Sequence, residues 1–279
     1  MSSRSLAAEV LRSARAYPTL LRVGFSEAVA YRAEMLVWML TTTMPLVSLA
    51  LWQAVAEAAP VGRYTGARFT AYFLATLVVR QLTGCWLVWE MNQDIRTGGL
   101  ARRLLKPIHP LVAYSAENLS ATPLRALLCV PVAVVALVYA ARRPDSGLAI
   151  PESAGTLVLF LASLFGAWAI NFFTMALIGS LAFFLEKSTA LFEIYLVAFM
   201  LLSGYLVPTE LFPSALRTAA EILPFRYTVA FPVEVSIGLL HGPAALSNLA
   251  IQWAYVVGLA IVSLITWRAG LRRFGAYGG

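Results

Sequence analysis

Charge is what this chain has least of. Asp, Glu, Lys and Arg make up 13% of its 279 residues, about half the share found in soluble globular domains. Water is therefore not its only solvent. Cysteine is nearly absent too. Cys85 and Cys129 are the only two, and both fall inside apolar runs, which argues against a disulfide framework. The two histidines, His109 and His241, lie far apart beside proline or glycine and lack metal-ligand spacing. There is no GxxxxGK[ST] phosphate loop, no GxSxG elbow and no HExxH pair. No fixed-period repeat and no low-complexity tract occurs. Nothing in the spacing of serines and acidic residues nominates a nucleophile and a base, so the residues do not support catalysis in this chain.

What is present is apolar length. Hydrophobic residues make up 60% of the chain and the mean hydropathy is +0.76. A membrane span needs ~20 mostly apolar residues. Six runs qualify, at roughly 34–56, 69–90, 118–141, 154–185, 189–207 and 245–267. The third carries Pro123 and Pro131, tolerable where neighbouring groups take up the freed carbonyls. The fourth is longer than the hydrocarbon core requires, so it should tilt, break or project. The run from Met35 to Ala56 is longer than a signal-peptide core, and the charged stretch before it is too long for a signal n-region; no cleavable leader is expected.

The net charge of +7 raises nucleic acid as a partner. The basic residues lie mostly between apolar runs, however, and orientation explains them better. With the N-terminus inside, thirteen Lys and Arg fall on inner segments and six on outer ones, so the positive-inside rule puts both termini in the cytoplasm. Trp89 and Trp267 then sit near inner span ends and Trp52 near an outer one, as interfacial aromatics do.

Two segments do not span. Residues 5–22 place Leu6, Val10, Leu11 and Ala14 on one helical face, opposite Arg4, Arg12 and Arg15, which suits a helix lying in the inner interface. Residues 204–242 contain Pro208, Pro213, Pro224 and Pro232. A helix fits between Pro213 and Pro224, and a second from about Val233 to Gly242. This helix-break-helix element is too polar to cross and too apolar for a plain loop. It needs protein or a hydrated cavity around it.

Arg80 stands near the centre of the second run. A central Arg costs ~2.5–3.5 kcal/mol on insertion scales, and the apolar residues around it return roughly 3–5 kcal/mol. The near-zero balance places Arg80 against protein or a hydrated cavity, as a lining residue of a substrate route or as a structural pair. Asn171 and Glu193 are further route candidates within spans. Arg125, near an inner end, is expected to snorkel. The pairs Ala162/Gly166 and Ala176/Ser180 could permit close helix contact.

The order of these elements, and SGYLVPTELFPSALRTAAEILPFRYTVAFPVEVSIG above all, resembles the permease subunits of type-two ATP-binding-cassette exporters of the daunorubicin- and viologen-efflux group. Pro208, Phe212, Pro213, Pro224, Phe225, Tyr227 and Pro232 follow that pattern, and the resemblance implies an outer gate there. Asp94-Ile95-Arg96-Thr97-Gly98-Gly99-Leu100 is similar to the family's inner loop. The resemblance implies that this loop, with Arg102 and Arg103, is a coupling helix seated on an ATPase subunit.

The implied fold is an all-α integral membrane protein with six transmembrane helices. It is divided as interfacial helix 1–33, spans one and two 34–91, coupling loop 92–117, spans three to five 118–207, outer element 208–242, and span six with its tail 243–279. The implied partners are a dimer of ATP-binding subunits, a second permease subunit (identical or paralogous) and membrane lipid, with no nucleic acid. No cofactor is expected in this chain; ATP and Mg belong to the partner. The expected location is the bacterial inner membrane, and the expected cargo is small and amphipathic, drug-like or lipid-like. An ion-driven transporter or channel is the alternative, but it needs intramembrane carboxylates, for which only Glu193 stands. A lipid-modifying enzyme would need a polar constellation at one interface.

Overall fold

The structure is a computed structural model and describes residues 3–31, 43–142, 154–186 and 188–277. The described chain is helical, with no strand beyond a single Val61–Tyr64 bridge. Helix α1 runs Ser3–Ala30, α2 Met44–Ala58, α3 Gly66–Thr83, α4 Leu87–Thr97, α5 Gly99–Leu104, α6 Pro110–Ser120 and α7 Thr122–Arg142. Then follow α8 Ala154–Ser180, α9 Ser188–Leu202, α10 Ser214–Ile222, α11 Ala230–Ser236 and α12 Gly242–Tyr277.

Local chemistry sets several boundaries. Pro45 lies in the first turn of α2, where a missing N–H costs nothing. The Thr65 hydroxyl accepts from the Arg68 amide at 3.3 Å and caps α3. Pro110 opens α6 behind His109, whose ring nitrogen accepts from the Leu111 amide at 3.3 Å. Gly98 closes α4 at φ 77°, a left-handed conformation that glycine adopts without a Cβ penalty.

Three helices are long and apolar enough to cross a membrane: Gly66–Thr97, counted through its break, Ala154–Phe183 and Gly242–Phe274. A pair bent by 44°, Pro110–Leu127 with Cys129–Val135, passes the same length and hydropathy test when its halves are taken together. Met44–Ala58 and Ser188–Leu202 are shorter apolar helices. The expected first span begins in residues 32–42, which lie outside the described residues, as does Lys187. So do the side chains of Leu6, Val10 and Leu11, on which the expected amphipathic face of α1 depends. The overlong fourth run ends by tightening into a 3₁₀ turn, Leu181–Phe183.

Helix α8 is the hub, packing against α4, α11, α12 and the 3₁₀ turn Pro224–Thr228. Glycines mark the closest approaches. A Cβ on Gly166 would meet the Gln252 side chain of α12 at 2.5 Å, and one on Gly179 would meet Met91 of α4 at 2.9 Å. Apolar driving force is weak between helices in lipid, so such close van der Waals packing carries the association. Interhelical hydrogen bonds add to it. Gln252, fully buried, donates to the Ser163 carbonyl at 2.9 Å and the Tyr227 carbonyl at 2.8 Å. The outward faces are apolar, with Val257, Ile261 and Ile265 exposed on α12 and Val134 and Val135 on α7, as a lipid-facing surface requires.

Two expectations change here. Trp267 does not face lipid. It is fully buried, 5.6 Å from the Phe183 ring centroid, because Gly270 lets Phe183 close in on α12. Arg125 does not snorkel either, for the reason given below.

Candidate functional site

The second apolar run is not one helix. It breaks at Gly84-Cys85-Trp86, between α3 and α4. A break at membrane depth frees carbonyls that lipid cannot satisfy. Here side chains from other helices take them: Asn171 Nδ2 donates to the Thr83 carbonyl at 3.1 Å, and Arg125 Nη1 to the Gly84 carbonyl at 2.8 Å. That bond holds the guanidinium inside the bundle and prevents snorkelling.

Arg80 lies one turn before the break and is partly buried. Its guanidinium carbon stands 4.8 Å from the centroid of Phe199 and 5.8 Å from that of Trp86, within cation–π range. No carboxylate is in ion-pair distance among the described residues. A cavity of about 10 Å³ beside it is lined by Asn171, Tyr195 and Phe192, too small for more than about one water. The structure thus brings Arg80 and Asn171 together, with the Tyr195 hydroxyl 3.2 Å from Asn171 Oδ1. It leaves Glu193 apart, exposed on the other face of α9.

After α4 the chain enters the basic stretch. Arg103 of α5 is its centre. Nε donates to Asp94 Oδ2 at 2.7 Å, and Nη1 to both Glu117 oxygens at 2.7 and 3.0 Å. Nη2 pairs with Glu90. The guanidinium lies 4.2 Å from the Tyr114 ring centroid, and the Tyr114 hydroxyl donates to the same Asp94 oxygen at 2.6 Å. A planar five-donor fork can serve three carboxylates at once, which a lysine cannot. One side chain thereby ties α4, α5 and α6 together. The hydrogen-bonded carboxylates hold the Arg103 pKa above its usual value, against the opposing cost of burial.

Gly99 completes the turn: a Cβ there would meet Asp94 Oδ1 at 2.6 Å. Ile95 and Leu100 are buried beneath. Arg96 reaches the Leu185 carbonyl at 3.2 Å, and Arg102 is exposed. At the tip, Leu104 is 40% and Leu105 86% exposed.

The proline-rich segment forms a folded cap. Its first helix is Ser214–Ile222, between Pro213 and Pro224. Its second is Ala230–Ser236, earlier than the expected Val233–Gly242, because Gly238 at φ 68° already turns the chain and Gly242 at φ 60° opens α12. Tyr72 of α3 donates to the Gly204 carbonyl at 2.8 Å, and the Ala230 amide to the Ser203 carbonyl at 2.9 Å. Glu234, 6% exposed, accepts from Arg226 at 2.6 Å and from Thr209 at 3.3 Å. Burial pushes the Glu234 carboxyl up, with Arg226 pulling it back. Pro208, Tyr227 and Pro232 are buried, Phe212, Pro224 and Phe225 half-buried, and Pro213 exposed.

Sequence reasoning missed Glu90, Tyr114 and Glu117 as partners of Arg103, and Arg125 and Gln252 as bridging residues. The signal available was polarity inside or beside an apolar run. Among the described residues no cluster of His, Cys, Asp and Glu could hold a metal ion.

Broken helices with satisfied ends, an apolar outer face and a rigid polar loop at one end define a multi-pass helical membrane protein. Residues 44–278 match the family model described as ABC-2 family transporter protein. The chain belongs to that family and is a permease of an ABC transporter. No curated protein and no solved structure matches it.

Proposed function

We propose that this chain is half of the translocation route of an ATP-driven exporter, coupled to a separate ATPase through residues 94–105. In this reading two permease subunits, identical or paralogous, face each other in a bacterial inner membrane with six spans each and both termini cytoplasmic. A dimer of ATP-binding subunits docks beneath. The cargo is small and amphipathic, of the drug-like or lipid-like kind exported by the daunorubicin group. The proline-broken cap, with Phe212, Phe225 and Tyr227, works as the outer gate.

One observation carries the coupling reading. Leu104 and Leu105 project from a turn that Arg103 holds rigidly to α4 and α6. A stiff lever transmits displacement, and an exposed apolar tip on an otherwise polar loop fits a partner's groove. The test is Leu105→Asp, a change that touches nothing inside the fold. Co-purification of the ATPase and its stimulation by permease in proteoliposomes should both be lost, with the ATPase's own basal rate unchanged. Full stimulation by the variant refutes the docking role.

A further inference from the structure

Two clefts adjoin near the residue 98–110 loop. One, of about 650 Å³, is bounded by α1, α6, α8 and α12 and lined largely by apolar side chains, among them Phe165, Trp168, Phe172 and Trp253. The other, of about 590 Å³, is lined by Arg12, Lys106, His109, Arg268 and Arg272, with no carboxylate among its described lining residues. His109 and Arg268 line both.

We propose that the adjoining clefts hold one anionic phospholipid. Its phosphate sits against Lys106, Arg268 and Arg272, and one acyl chain lies along Trp168, Phe172 and Trp253. An apolar slot beside a basic mouth is complementary to that amphiphile, and a zwitterionic headgroup brings no net charge to match Lys106, Arg268 and Arg272. The bound lipid bridges α1, the end of the 98–110 loop and α12, so it adds rigidity where the loop re-enters the bundle. The binding does not depend on the ATPase reading and is measured without any partner.

The experiment delipidates the full chain in detergent, offers equimolar phosphatidylglycerol and phosphatidylcholine, and quantifies retained lipid by mass spectrometry. The native chain should retain phosphatidylglycerol preferentially. Each cation near a headgroup is worth about five-fold, so Arg268→Gln with Arg272→Gln should reduce the preference about 25-fold. The same charge loss at exposed Arg142 and Arg217 should leave it intact. Val112→Trp, narrowing the apolar slot, should lower retained phosphatidylglycerol. Unchanged preference in the Arg268/Arg272 variant overturns the proposal. So does displacement by glycerol phosphate as effectively as by the whole lipid, which would leave the apolar slot no part. Cross-linking of Phe165→Cys to a second copy of the chain across the slot overturns it as well, because protein would then occupy the slot.

Discussion

Replacing Arg103 by methionine keeps the stem and removes the fork. Three carboxylates then lose the guanidinium that all of them share. A hydrogen bond to a charged group is worth about 1.5–3 kcal/mol. Arg103 is 19% exposed, and Glu90, Asp94 and Glu117 are 44%, 20% and 34% exposed, so solvent screening argues for the low end. Three interactions at that end give about 4.5 kcal/mol, or roughly a two-thousand-fold rise in local opening. The assay is amide hydrogen exchange across residues 98–106 in nanodiscs, beside stimulated ATPase activity. Exchange should accelerate by about that factor, stimulation should fall, and exchange in α8 should not change. Arg103→Lys retains the charge without the fork and should land between. Native exchange rates in the methionine variant refute the claim that one side chain holds the turn.

Three further outcomes follow from the geometry. Gly204→Ala forces a Cβ into a left-handed residue at φ 84°, against Ala230 Cβ at 2.7 Å; it should cost at least ~1–2 kcal/mol and lower the thermal midpoint in detergent. Arg80→Met should fold, since methionine fills the space against Phe199, and should lower export at least about ten-fold (about 1.4 kcal/mol) if the cation serves the route; full export limits Arg80 to structure. Burial raises the Glu234 pKa in the folded cap, so its contribution to stability is complete below the ordinary carboxylate range and is lost as pH rises through the raised value; Glu234→Gln should flatten that part of the pH–stability profile, and an unchanged slope would remove Glu234 from the account.

Much of the architecture was legible because lipid imposes simple rules. Apolar length marked α3, α8 and α12, and Pro213 and Pro224 bracketed α10 to within a residue. The break at Gly84 was not legible. Hydropathy averages over a window and is blind to which carbonyl keeps its hydrogen bond, and Gly84, Cys85 and Trp86 are as apolar as their neighbours. Nor did spacing reveal Arg103 as a centre. Its acceptors at 90, 94 and 117 lie on two other helices, and only the Gly98–Gly99 turn brings them to one point. The basic stretch was visible as a peculiarity, its internal bracing was not. Arg125 was misplaced for a related reason: charge position along a span says where a side chain could reach water, not whether a closer acceptor exists.

The interrupted second span has a consequence for how the two ends of the molecule communicate. Its first half, α3, is tied to the cap through Tyr72 and Gly204, and its second half, α4, to the loop through Asp94 and Glu90. No continuous backbone spiral joins them. A twist applied at the loop must therefore cross a joint held by Asn171 and Arg125, so these two residues set how much slack separates push from response.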